Sequence, residues 1–337
     1  MRTDNWTLTA EVMELELAER FTIARGSWDA ARNVFVTLGL AGRTGIGESG
    51  PDARWGESCE SVIAALESFD LTALNGPYDF EGLHGLLPPG SARAALDIAL
   101  HDLAGRLAGL SVSELLGLAG GPRPVTSLTL PIANVGAMVE RARQHADYPV
   151  LKMKVGFDGD VAAVAAVRDV YGGKLRIDAN EGWTESEAIA RLRALEGLDI
   201  ELCEQPIEAG NHDALRRVTG ATAIPVFADE DVCTAADVVA LGDVVDGVNL
   251  KLRKTGGIRE AVKAVAAARA LGLGAMLGCD LESGVAATAQ AHLARLFDYV
   301  DIDGPLLLAS DPWPGVGYDK GVLILPGGPG LGVKRAS

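Results

Sequence analysis

Cysteine is scarce in this chain. Cys59, Cys203, Cys233 and Cys279 are the only four in 337 residues, and no two of them form a C-x-x-C. That excludes a disulfide framework and a thiolate zinc site, and it fits a reducing compartment with buried thiols. Basic charge is also short: 30 Lys and Arg face 46 Asp and Glu, for a net charge of −16. Nucleic-acid phosphates and anionic membranes both require basic surfaces, so neither is expected as a partner. A small anionic substrate is not excluded, because a few local cations override the global field. No stretch offers eighteen uninterrupted apolar residues, so no membrane span is expected. Residues 1–19 lack an apolar run with basic flanks, so no signal peptide is expected, and the expected location is cytoplasmic. Residues 42–50 (GRTGIGESG) are glycine-rich, but no lysine-serine pair or helix start follows. They read as a hairpin rather than a phosphate loop.

What is present is ordinary globular composition, 48% hydrophobic and 23% charged, at a length suiting one large domain and a smaller one. Residues 1–120 read as a small α+β unit. Strands are expected over 7–16 and 34–40, with a turn at Gly26-Ser27 between them. Helices are expected over 60–69 and 91–110, the second capped by Ser91.

From about residue 125 the texture changes. Short apolar runs recur at 127–131, 149–154, 174–178, 200–204, 224–229, 246–251, 273–278 and 298–303. Successive runs end about 22 to 27 residues apart, the length of a strand, a loop and a three-turn helix. Eight such runs predict a closed (β/α)8-type barrel over 121–303. A doubly wound open sheet is the alternative, but the glycine-rich first turn it usually carries is absent. No long helix pattern follows the eighth run. Residues 304–337, rich in Gly and Pro, are expected to return to the first region.

In such a barrel the chemistry sits at the C-terminal ends of the strands. Every run from the second onward ends in charge although its body is apolar. Lys152 and Lys154 end the second, Asp178 the third, Glu204 the fourth, Asp229 the fifth and Lys251 the sixth. Asp280 and Glu282 follow the seventh, and Asp301 and Asp303 end the eighth. Lys152 and Lys154 share a strand face. A lone K-x-K more often marks a solvated edge strand. An Asp after a strand is often the N-cap of the next helix, and that reading is taken for Glu230 or Asp231 and stands beside a functional one for Asp280. Capping does not explain three consecutive carboxylate ends framed by lysines. Buried charges are costly unless paired or metal-bound.

Asp178, Glu204 and Asp229 would come from adjacent strands about 4.8 Å apart. Three converging carboxylates without histidine suit Mg²⁺ rather than zinc. A lysine base must shed a proton from an ordinary pKa of about 10.4; a shift of three units corresponds to about 4 kcal/mol. Neighbouring positive charge and desolvation both act in that direction. Opposed lysines beside Mg²⁺ suggest proton removal α to a carboxylate, with return to the opposite face. Lys254, in the loop after the sixth run, reads as solvated, and His101 as a packed helix residue.

These motifs resemble the enolase superfamily in its muconate-lactonising-enzyme-like subgroup, over essentially the whole chain. The resemblance implies a (β/α)7β modified TIM barrel with an α+β capping domain completed by the C-terminal tail. It implies Lys154 and Lys251 as the acid/base pair, Lys152 as a substrate contact, and Asp178, Glu204 and Asp229 as ligands of one Mg²⁺. Asp301-Ile302-Asp303 looks like the D-x-D with which dipeptide epimerases hold a substrate ammonium. Thr129, Asp280 and Glu282 are expected in supporting roles near the substrate. Residues 21–27 and 54–58 also look like the L-Ala-D/L-Glu epimerase branch. Arg25 is the candidate for an acidic substrate side chain, a surface arginine beside a turn being as plausible. The implied reaction is epimerisation of a dipeptide such as L-Ala-L-Glu through an enediolate, with a role in cell-wall peptide recycling. An o-succinylbenzoate synthase or muconate cycloisomerase on the same scaffold is the alternative. Family analogy alone allows a homo-oligomer.

Overall fold

The computed structural model describes residues 6–336. Residues 1–5 and 337 of the expected domain bounds lie outside the described residues. Alternating apolar and polar residues build a long antiparallel hairpin of β1 (Thr7–Ile23) and β2 (Gly26–Leu40), and β3 (Arg43–Ser49) adds to the far edge of β2. Both long strands outrun the expected 7–16 and 34–40. The turn falls at Ala24-Arg25 rather than Gly26-Ser27, because Ile23 pairs with Gly26 and Thr22 with Ser27. Residues 42–50 do belong to a hairpin, with β3 as its second strand.

Helices α1 (Cys59–Glu67) and α3 (Ser91–Ala108) cover one face of this sheet, and α2 (Phe80–Leu86) packs on α3. Alanines along α3 let β3 approach very closely. A Cβ at Gly47 would stand 1.9 Å from the Ala95 carbonyl oxygen, so only glycine fits there. Ser91 does not cap α3. Gly90 holds the cap position, and the Ser91 hydroxyl donates to Glu57 at 2.6 Å instead.

After α4 (Val112–Leu115) come eight parallel strands: β4 (Leu128–Leu130), β5 (Val150–Lys154), β6 (Lys174–Asp178), β7 (Ile200–Glu204), β8 (Val226–Ala228), β9 (Gly247–Leu250), β10 (Gly274–Gly278) and β11 (Tyr299–Asp301). They lie side by side in chain order, and the ring closes where Thr126 bridges Val300. Seven connections carry the helices α5 (Val135–Gln144), α6 (Asp160–Arg168), α7 (Glu185–Leu195), α8 (His212–Thr219), α9 (Ala235–Ala240), the short α10 (Leu252–Thr255) with α11 (Ile258–Leu271), and α12 (Gly284–Leu293). This is a (β/α)7β barrel. Its strands match the apolar runs to within two residues. Asp229, Lys251 and Asp303 fall just past the last ladder residue of their strands.

Alternation sets the two faces. Leu151 and Met153 of β5 pack outward into the main core, while Lys152 and Lys154 point to the interior. The tail closes the molecule. Leu308 bridges Leu17 of β1, and the Leu331 amide donates to Asp102 of α3 at 2.7 Å. It also carries a small hairpin, β12 (Gly317–Asp319) with β13 (Val322–Ile324). Among the described residues no helix is long and apolar enough to cross a membrane, and the four cysteines are free.

Candidate active site

Strand register assembles the site. Lys154 on β5 pairs with Asp178 on β6, and Asp178 pairs with Glu204 on β7. Asp229, one residue beyond β8, continues the same layer. All three carboxylates are at most 1% exposed. Lys154 Nζ lies 2.7 Å from Asp178 Oδ2 on one side of them. On the other side Lys251 Nζ lies 3.0 Å from Asp229 Oδ2. Lys152 sits deeper, 2.6 Å from Glu204 Oε2, 3.1 Å from Asp178 Oδ2 and 2.5 Å from Asp301 Oδ2. The solvated-edge reading of the K-x-K is therefore ruled out.

The electrostatics follow from this crowding. Burial and the neighbouring Asp178 push Glu204 up to about 7, against the pull of Lys152. Burial opposes ionisation of Asp229 too, but Lys251 and Lys254 hold it well below the usual carboxylate range. Burial lowers Lys152, yet Asp301, Glu204 and Asp178 together raise it well above an ordinary lysine. Among the described residues no three acidic, His or Cys side chains already stand in ligating geometry, and the Lys152 ammonium lies within 3.1 Å of both Asp178 and Glu204. The donor set nevertheless fits a hard divalent cation. Three all-oxygen side chains converge, and Glu204 Oε2 is buried without a hydrogen bond, its contact to Lys152 being ionic only. Asn249 on β9 donates to the other oxygen, Glu204 Oε1, at 2.6 Å and fixes that carboxylate.

The remaining candidates divide. Asp301 faces inward as Lys152's partner and also accepts from Ser127. Asp303 accepts from the Thr129 backbone amide at 2.6 Å, and burial with nearby Asp301 raises it to about 6. Thr129 thus meets Asp303 through its main chain. Asp280 is not an N-cap, since Ser283 caps α12. It pairs with Arg253 at 2.8 Å and lies 3.8 Å from Lys251. Glu282 is buried with Oε1 unpartnered, and burial with Glu48 raises it well above an ordinary glutamate.

Arg25, at the tip of the β1–β2 turn, reaches the barrel rim. Its Nη1 lies 2.8 Å from Glu181 Oε2, donates to the Asn180 carbonyl and contacts Glu230. Arg54 joins the same group, 2.5 Å from Glu181 Oε1. Glu230 and Asp231 do not cap the next helix, a role Thr234 takes. Asn180, Glu181 and Gln205 all hold positive φ at this rim, a local strain that neighbouring hydrogen bonds offset.

Lys254 overturns the sequence reading. It is buried in α10, with Nζ 2.6 Å from Asp229 Oδ1. Asn249, Glu181, Glu230 and Arg253 are further members the sequence reading missed. Asn249 left a usable signal, a polar residue on the same strand face as Lys251. Glu181 and Glu230 depend on loop conformation, and Arg253 on the short helix α10.

A strand-end layer of this kind invites comparison with known proteins. Residues 7–117 match the N-terminal domain model of mandelate racemase and muconate lactonizing enzyme, and residues 135–335 match the enolase C-terminal domain-like model. The chain belongs to the enolase superfamily. Within this superfamily it is 34% identical over 329 residues to the L-Ala-D/L-Glu epimerase of Bacteroides thetaiotaomicron, covering 96% of this chain and 86% of that protein. It is 36% identical over 342 residues to the hydrophobic dipeptide epimerase of Roseobacter litoralis, covering 96% and 98%. A solved dipeptide epimerase from Enterococcus faecalis, complexed with Mg and L-Leu-L-Tyr, superposes with a TM-score of 0.90 at 32% identity, covering 97% and 99%.

Proposed function

We propose that this chain is a Mg²⁺-dependent dipeptide epimerase in which Lys154 and Lys251 move the α-proton of the second residue. One observation carries the reading: the two lysines flank the buried Asp178–Glu204–Asp229 layer from opposite sides. Asp178, Glu204 and Asp229 would hold the cation. What Mg²⁺ supplies there is positive charge beside the substrate carboxylate as negative charge builds on it.

The chain's own residues do the rest. A neutral lysine on one side takes the α-proton as the C–H bond breaks, and its electron pair moves toward the carboxylate. The protonated lysine opposite delivers a proton to the other face of the same carbon, inverting it. Lys152 brings a third cation to the floor, where a substrate carboxylate would sit. Asp301 and Asp303 carry the negative charge that suits a free ammonium, and Arg25 with Arg54 closes the rim from the cap. The domain division we propose is a cap of 1–120, a barrel of 121–303 and a returning tail of 304–337. The free cysteines support a cytoplasmic setting, and the net charge of −16 supports a small-molecule partner over nucleic acid.

The test is to incubate the protein with Mg²⁺ and a panel of dipeptides that includes L-Ala-L-Glu in D₂O, and to follow the second residue's α-proton. Deuterium incorporation with inversion is expected. Absence of exchange across the panel would refute the proposal.

A further inference from the structure

The geometry points to Lys254 as a positioning residue that fixes the metal-facing orientation of Asp229. This rests on the reading of Asp229 as a metal ligand and extends it to a residue outside the reacting set. Lys254 follows Lys251 by one turn, so the two side chains leave the same short segment, α10 and its N-cap. They take opposite oxygens of one carboxylate. Lys251 Nζ is 3.0 Å from Asp229 Oδ2, and Lys254 Nζ is 2.6 Å from Asp229 Oδ1. The two lysines differ in access. The Lys251 side chain is 12% exposed, Lys254 only 1%.

The Lys254 ammonium has three protons and three acceptors: Asp229 Oδ1, the Asp229 carbonyl oxygen and, at 3.2 Å, the Asn249 carbonyl oxygen. All its donors are committed, so it has none left for a substrate. It grips the main chain and side chain of Asp229 together, which sets the rotation of the carboxylate. Oδ1 is tied down behind the site, and Oδ2 is the oxygen left toward Lys251 and the mouth. Asn249, whose carbonyl completes the tripod, also orients Glu204 through its side chain. One lysine therefore holds Asp229 directly and ties it to the β9 residue that orients Glu204. The anchor of α10 comes from the cap. Arg93 on α3 donates to the carbonyls of Thr255 and Gly256 at 2.8 and 3.1 Å, and Asp97 accepts from the Ile258 amide at 2.6 Å.

Charge and position make opposite predictions. If Lys254 acted only through its charge, removing that cation would tighten binding of a divalent ion. If it acts by holding the ligand, removing it weakens binding, as lost outer partners of metal ligands do by about 10- to 100-fold. The experiment titrates Mn²⁺ by electron paramagnetic resonance into wild type, Lys254→Met and Lys254→Gln, each checked by thermal unfolding without metal. We expect Lys254→Met to bind about 10- to 100-fold more weakly, with Lys254→Gln, which keeps two donors without charge, in between. Unchanged or tighter binding in folded Lys254→Met overturns the inference. So does failure of both variants to fold, since the lysine would then serve the fold rather than the ligand. Absence of Mn²⁺ binding by wild type overturns the metal site itself, an outcome distinct from the other two.

Discussion

Lys152 and Asp301 join the two ends of the barrel. Lys152 Nζ on β5 stands 2.5 Å from Asp301 Oδ2 on β11, across the seam where the ring of strands closes. A residue expected to face the substrate ammonium is thus also the counter-ion of the deepest lysine. Asp301→Asn should lower dipeptide turnover roughly 100-fold, equivalent to about 2.7 kcal/mol. A lyase or cycloisomerase has no ammonium to hold and loses only the Lys152 counter-ion, so it predicts a smaller fall. Steady-state rates on a dipeptide and on succinylbenzoate-type substrates separate the two.

Arg25 ties the cap hairpin to Glu181 and Glu230 at the barrel rim. Its loss should loosen rim closure while leaving the proton-transfer groups in place. Arg25→Ala should raise KM for dipeptides about tenfold with a much smaller change in kcat. Equal falls in kcat and kcat/KM would place Arg25 in the chemical step instead.

His292 provides a pH test remote from the site. It accepts from the Ser113 amide and donates to the Leu331 carbonyl oxygen, and burial lowers it to about 4. An unfolded histidine titrates near 6.5. As pH falls, the unfolded chain takes up the proton first. Stability is therefore full above about 6.5, declines down to about 4 and levels off below, a loss of roughly 2–4 kcal/mol. Urea unfolding at pH 7 and pH 5 should show this decline in wild type, and His292→Gln should lack that component.

The sequence revealed the barrel because each strand is buried on both faces and reads as an apolar run. It revealed Asp178, Glu204, Asp229 and Lys251 because charge at the end of such a run has no packing reason to be there. Lys254 was illegible. A lysine five residues past Asn249 looks solvated until the chain turns back and places Asp229 and the Asn249 carbonyl around it. The Ala24-Arg25 turn was hidden by the stronger local signal of Gly26-Ser27, which the strand register absorbs into β2. Glu230 was masked by its resemblance to a helix cap. Only the fold shows Arg25 beside it.

The central claim is that Lys154 and Lys251 serve opposite faces of one carbon. The most direct measurement follows α-proton exchange in D₂O with Mg²⁺, starting separately from each epimer of an active dipeptide. Lys154→Ala and Lys251→Ala should each abolish epimerisation. Whatever exchange survives in a variant should come from one epimer only, the one whose proton faces the remaining lysine. Full epimerisation by either variant would contradict the two-lysine account.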